Sequence, residues 1–110
     1  MPKPGEVVWL VFPGAVMTKR RPAVVVSSDD YHNIRPDVIV GLLTSQIAKA
    51  SGSTDHFLHD WKLAGLVSPS AFRAFLVTIP QTAILSRVWQ LSPPDWQAVQ
   101  KCLHSALSLT

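Results

Sequence analysis

The sequence predicts a mainly β fold, a small and strongly bent β-barrel with one α-helix at the C-terminus. Two observations carry this. Five short runs rich in β-branched and aromatic residues lie within residues 6–91, separated by Pro, Gly, Asn and Asp. Residues 92–107 then switch to apolar side chains at helical spacing behind a helix-start signal.

Pro4 and Gly5 introduce the first strand, residues 6–12 (EVVWLVF). Residues 22–28 (PAVVVSS) and 37–43 (DVIVGLL) follow, and their unbroken apolar character points to strands buried on both faces. Asp29, Asp30 and Asn33 punctuate the gap between them as turn residues, with Asn33 to Pro36 favouring a turn. Residues 45–56 (SQIAKASGSTDH) are the most polar stretch and read as a loop, and a second loop covers 60–69. Strand character returns at 71–79 (AFRAFLVTI), breaks at Pro80 and resumes at 84–91 (ILSRVWQL). Ser92 is a good N-cap, Pro93 suits the first helical position and Asp95 supplies the acidic third position of a capping box. Trp96, Val99, Leu103, Ala106 and Leu107 then form one apolar stripe, which is expected to close the open end of the barrel.

A chain of 110 residues is the size of one domain and buries roughly two-thirds of its unfolded surface, so residues 1–110 are expected to form a single domain. With 47% apolar and 15% charged residues, the composition is that of a folded chain. Cys102 is the single cysteine, which excludes an intrachain disulfide and a Cys-based zinc site. The start of the chain is polar, and no apolar run approaches the roughly 20 residues that span a bilayer. A cytoplasmic protein without membrane association is expected. A net charge of +3 and a pI near 9.4 favour a polyanionic partner.

The charge is concentrated at Lys19, Arg20 and Arg21, directly before the second strand. Pro22 fixes its own φ and biases Arg21 towards an extended backbone. A guanidinium at the mouth of a rigid strand can grip a phosphate with its forked donors. The same trio also fits a hairpin that merely carries solvated charge. Thr44 and Ser45 offer hydroxyls where the third strand opens into a polar loop. If the second and third strands are neighbours, Arg21 and Thr44 share one rim, although hydroxyls are also common strand-end caps. His56 and His59 have a spacing that suits a metal, but no third ligand is evident, so no metal is expected. Histidine also suits acid–base work near neutral pH. Trp61, in a polar loop, is a candidate for stacking on a nucleobase. The chain has no Gly-rich phosphate loop, nucleophile elbow or carboxylate pair at helical spacing.

Residues 4–10 (PGEVVWL), 19–31 (KRRPAVVVSSDDY), 37–40 (DVIV) and Thr44-Ser45 resemble, in order, the opening of the MazF/PemK toxin family. Residues 60–66 (DWKLAGL), Pro69, Ser70, Arg73, Thr78, Ile79, Leu91, Ser92, Asp95 and Trp96 are similar to its shorter PemK-like branch. The likeness is colinear over nearly the whole chain. It implies an SH3-like barrel of the CcdB/MazF type, working as a homodimer. It further implies the toxin of a type II toxin–antitoxin system, a sequence-specific endoribonuclease that cleaves single-stranded RNA (mRNA) to 2′,3′-cyclic phosphate and 5′-hydroxyl ends. No metal or cofactor is implied, and the implied protein partner is an antitoxin with an acidic, partly apolar tail. The resemblance assigns catalysis to Arg21, Thr44 and Arg73, and RNA binding to Lys19, Arg20, Ser45 and Gln46. Phe75 stands where relatives carrying the later arginine have an acidic residue, Trp89 stands in place of a glycine, and the loop between Phe12 and Lys19 is short. The alternative is a non-catalytic barrel, either a gyrase poison of the CcdB type or a family member that keeps only antitoxin binding. The gyrase-poison type relies on an aromatic-glycine-isoleucine ending, whereas this chain ends Leu107-Ser108-Leu109-Thr110.

Overall fold

Successive residues of a strand point to opposite faces, so a strand that is apolar throughout needs a partner layer on each side. The chain meets that need with a curved antiparallel sheet carrying an apolar cluster on each face. The structure, a computed structural model, describes residues 2–11 and 20–109. Its elements are β1 (Glu6–Val11), β2 (Arg20–Val25), α1 (Asp29–Ile34), β3 (Asp37–Thr44), β4 (Asp55–Phe57), β5 (Ala71–Pro80), β6 (Ile84–Gln90) and α2 (Pro93–Ala106). The six strands form one sheet in the order β4-β5-β3-β2-β1-β6, with every pair antiparallel.

Val7, Val24, Leu43 and Phe72 belong to one cluster, which Val99 and Cys102 of α2 complete. Val8, Ala23, Val25, Val38, Val40 and Ile79 form the other. The two-sided burial expected for the central strands is therefore present. At Gly41, β3 has no room for a side chain, because a Cβ there would lie 2.5 Å from the ring of buried Phe72. The β3–β5 register shifts at this same point, between Gly41 and Leu42.

The mainly β architecture with a C-terminal helix matches expectation, and four details differ. The sheet is open, since no pairing among the described residues joins β4 to β6. The polar stretch expected to be a loop contributes β4, a strand of 3 residues that exists because it pairs with β5. Asp29, Asp30 and Asn33 are not turn residues but part of α1, whose N-cap is Ser28. The buried side of α2 is Asp95, Val99 and Cys102, with Trp96 and Leu103 packed beside them, while Ala106 and Leu107 are exposed. Among the described residues no helix is long and apolar enough to cross a membrane.

The capping box at α2 is half formed, and its second half is put to another use. Ser92 Oγ accepts the Asp95 N–H, as an N-cap does. The Asp95 carboxylate turns away from the cap and reaches the preceding loop. Its Oδ1 accepts the His59 N–H at 3.0 Å and lies 2.9 Å from His56 Nε2, and its Oδ2 accepts the Asp60 N–H at 2.8 Å. Burial alone opposes ionisation of Asp95, but the hydrogen bonds from His56, His59 and Asp60 outweigh it and hold the carboxyl below its ordinary range. A depressed carboxylate stabilises the fold at and above the ordinary carboxylate pKa, and that contribution is lost as pH falls through the lower folded value. Asp95→Ala is expected to cost roughly 3 kcal/mol in urea unfolding at neutral pH, because stranded donors cost about 1–3 kcal/mol each. Asp95→Asn is expected to weaken the acid limb of the stability–pH curve, and an unchanged acid limb would contradict this account.

Candidate active site

The site is a consequence of strand register. β2 and β3 pair with Ala23 opposite Leu42, Val24 opposite Gly41 and Val25 opposite Val40. Both strands run on towards the same end of the sheet, and continuing that register sets Arg21 opposite Thr44. Each is also held from its other side, Arg21 by Leu10 of β1 and Thr44 by Ala71 of β5. At the far end of the pair the register is clamped. Ile39 accepts N–H bonds from Val26 and Ser27, and Ser27 Oγ accepts the Ile39 N–H at 3.0 Å. Ser27 Oγ also lies 2.5 Å from Nε2 of buried His32 on α1.

Arg21 and Thr44 line one pocket of about 190 Å³, together with Arg20 and Ser45. Four of the residues expected to act together are thus brought together. Thr44 is nearly buried, at 7% exposure, and Arg21 is half-buried. The Thr44 hydroxyl accepts the Gln46 N–H at 3.0 Å, which leaves its own proton to donate into the pocket. Gln46 is exposed beside the pocket and acts on it through this backbone contact. Among the described residues neither Arg20 nor Arg21 pairs with a carboxylate, so their charge is available to an anion. Lys19 lies outside the described residues.

Arg73 does not line this pocket. It pairs with Leu42 on the β3–β5 ladder, two residues along from the Thr44–Ala71 pair. It opens instead into a neighbouring hollow with Asp55, Ser51, Thr54 and Phe75. Its Nε is 3.5 Å from Asp55 Oδ2, across the short β4 strand. Diagonal neighbours on one face are about 7–8 Å apart, within reach of a long side chain, so Arg73 borders the Thr44 site without entering it.

Two candidates from the sequence are placed elsewhere. Trp61 packs against the apolar cluster, with Lys62 Nζ 5.4 Å from its ring centre. His56 is held by Asp95, its ring 5.6 Å from that of His59, and no group of three or more His, Cys, Asp or Glu gathers as a metal site among the described residues. Sequence reasoning missed the second wall of the pocket, which Trp9, Pro22, Leu43, Leu66, Val67, Ser68 and Ser70 supply. Trp9 and Pro22 face each other across β1 and β2. The strand pairing was readable, but nothing local marks residues 66–70 as approaching it.

A model of the family described as PemK-like, MazF-like toxins of type II toxin-antitoxin systems matches residues 3–107. The chain belongs to that toxin family. Solved structures share the toxin's fold at low sequence identity. An endoribonuclease from a mycobacterial species, solved in complex with its cognate antitoxin, is 16% identical with a TM-score of 0.79, covering 100% of this chain and 98% of that one. MazF in a MazE–MazF crystal structure from Deinococcus radiodurans is 22% identical with a TM-score of 0.73, over 99% and 97% of the two chains. The Mycobacterium tuberculosis toxin MazF-mt6 is 18% identical with a TM-score of 0.71, over 94% and 98%. No curated protein sequence matches the toxin.

The Arg73–Asp55 pair is half-exposed on the arginine side, which limits its strength. A double-mutant cycle with Arg73→Ala and Asp55→Ala is expected to give a coupling of about 0.5–1 kcal/mol in urea unfolding. A coupling above about 3 kcal/mol, the range for breaking a buried pair, would contradict this geometry.

Proposed function

We propose that this toxin is a ribonuclease that cleaves single-stranded RNA by attack of the RNA's own 2′-hydroxyl on the adjoining phosphorus. The observation that carries the proposal is that Arg21 and Thr44 line one pocket at the end of paired strands. In this reaction a bond forms from the 2′-oxygen to phosphorus and the bond to the 5′-oxygen breaks. The 2′-proton is lost and the departing 5′-oxygen gains one, leaving a 2′,3′-cyclic phosphate and a 5′-hydroxyl. Negative charge builds on the phosphoryl oxygens meanwhile, and donors already aimed at it need no reorganisation. The Arg21 guanidinium offers its fork of N–H groups, and the Thr44 hydroxyl, oriented by the Gln46 N–H, donates beside it. Arg20 and Ser45 hold the flanking backbone. Lys19 joins them in contacting RNA, and Arg73 borders the site as a further cation.

Among the described residues neither a histidine nor a carboxylate lines the pocket. Arginines stay protonated in proteins and are poor proton acceptors. The groups present therefore act by charge and hydrogen bonding, and the nucleophile comes with the substrate. Nothing in this chemistry requires a metal.

The same reading covers the partners. Two of the similar structures are toxins solved with antitoxins, which supports an antitoxin partner here, with an acidic and partly apolar segment suited to a cationic pocket. Phe75, Leu85 and Trp89 are exposed on β5 and β6 and offer apolar area for a second copy, so the working form is a homodimer. The toxin works in the cytoplasm, where mRNA is. A non-catalytic barrel toxin is not favoured, because a docking surface alone does not call for a hydroxyl set beside a guanidinium.

The experiment is cleavage of single-stranded RNA in EDTA. Wild type is expected to cut, and Arg21→Ala and Thr44→Val each to lose roughly a hundredfold or more in kcat, the usual cost of removing one such donor. Undiminished cutting by both variants, or no cutting by wild type, would overturn the proposal.

A further inference from the structure

Asp55 is a nearly buried carboxylate that the cleavage chemistry leaves unused. Its side chain is 9% exposed, whereas its cation, Arg73, is 39% exposed and stands 3.5 Å away. Burying a carboxylate is costly unless its partners are close and well aimed, so this pair does little for folding. Its place in the sheet points to another role. Residues directly opposite each other in an antiparallel pair share a face, as do residues two apart along a strand. Asp55 faces Arg73, Arg73 faces Leu42, and Leu42 is two residues from Thr44. Thr44, Arg73 and Asp55 therefore lie on one face of β3, β5 and β4, with the carboxylate on the outermost strand.

Asp55 holds two things at once. Its Oδ2 accepts the Ser51 N–H at 2.9 Å, which anchors the far end of the loop that begins at Ser45 and Gln46. The same oxygen meets Arg73 at Nε. That nitrogen is buried and makes no hydrogen bond among the described residues, so Asp55 holds it through charge. The two terminal nitrogens of the guanidinium are left for another acceptor. We infer that Asp55 is a positioning residue, which fixes Arg73 at Nε so that its terminal nitrogens meet the RNA strand bound at Arg21 and Thr44. The inference rests on the ribonuclease reading for the identity of the strand, and it adds the residue that aims the third guanidinium. A long arginine loses conformational freedom when it binds a phosphate, and one tethered beforehand loses less. Arg20 and Arg21 also repel a further guanidinium nearby, and a carboxylate behind it offsets that repulsion before RNA arrives.

The variant that isolates this role is Asp55→Asn, whose side-chain oxygen can still accept the Ser51 N–H while the charge is gone. β4 stays docked without that charge, because it pairs with β5 and because His56 is held by Asp95. Wild type and variant are compared in cleavage of single-stranded RNA and in binding of an uncleavable 2′-O-methyl strand. Asp55→Asn is expected to lower kcat roughly tenfold, since misplacing a group by about 1 Å can cost a hundredfold. It is expected to bind the strand at least as tightly as wild type, because a negative charge beside a polyanion has been removed. In an Arg73→Ala background it is expected to cost nothing further. The Arg73 Nε–H signal in NMR is expected to shift when wild type binds the strand, and that shift to be lost in Asp55→Asn. An unchanged kcat in Asp55→Asn overturns the inference, as does a loss that persists in the Arg73→Ala background or one accompanied by weaker binding. A wild type that cuts nothing while the Arg73 signal behaves as described loses the ribonuclease reading and keeps the role of Asp55. One that cuts while its Arg73 signal ignores the strand does the reverse.

Discussion

The pairing register of β2 with β3 is the constraint on which the site depends. Side chains alternate across a sheet, so a slip of one residue would send Arg21 and Thr44 to opposite faces and expose the apolar set that buries both strands. The register is over-determined. Ala23, Val24 and Val25 are wholly buried between two clusters, which penalises any slip. At the other end of the pair, Ser27, Ile39 and His32 tie the α1 connection to β3 through backbone and side-chain hydrogen bonds. A network remote from the pocket thereby positions the groups within it.

The second wall is set by a different device. Asp95 of α2 holds the N–H groups of His59 and Asp60 and fixes where the next loop begins. That loop is wound tightly, with N–H bonds from Ala64 to Asp60, Gly65 to Lys62 and Leu66 to Trp61. Gly65 takes a φ of +86°, and a Cβ there would lie 2.4 Å from Val88, so no other residue fits the turn without strain. The turn buries Leu66 and delivers Val67 and Ser68 to the pocket. A helix cap, a glycine turn and a sheet register thus meet at one space.

Much of this was legible in the sequence because it depends on local pattern. The apolar runs mark β1, β2, β3, β5 and β6, Ser92-Pro93 marks the start of α2, and Pro22 marks Arg21 as an extended residue beside a strand. What was not legible depends on distant pairing. β4 is the tripeptide Asp-His-Phe, too short to carry a strand pattern, and is a strand only through β5. α1, at 6 residues, is too short for helical periodicity to show. Asp95 has the position of a capping-box residue, yet its carboxylate goes to a loop more than 30 residues earlier, a partner that no local rule supplies. Arg73 is near Thr44 along the ladder but is drawn to Asp55, a contact set by the β4–β5 register.

The account stands on Arg21 and Thr44 acting on one phosphate. The most direct measurement is an NMR titration of the toxin with a single-stranded 2′-O-methyl oligonucleotide. It would follow the Arg21 Nε–H, the Thr44 methyl and the backbone amides of Ser45 and Gln46. The account predicts that these signals shift together and saturate at the same ligand concentration. Arg21 and Thr44 signals that titrate independently, or an Arg21 Nε–H that does not move while the strand binds, would contradict it.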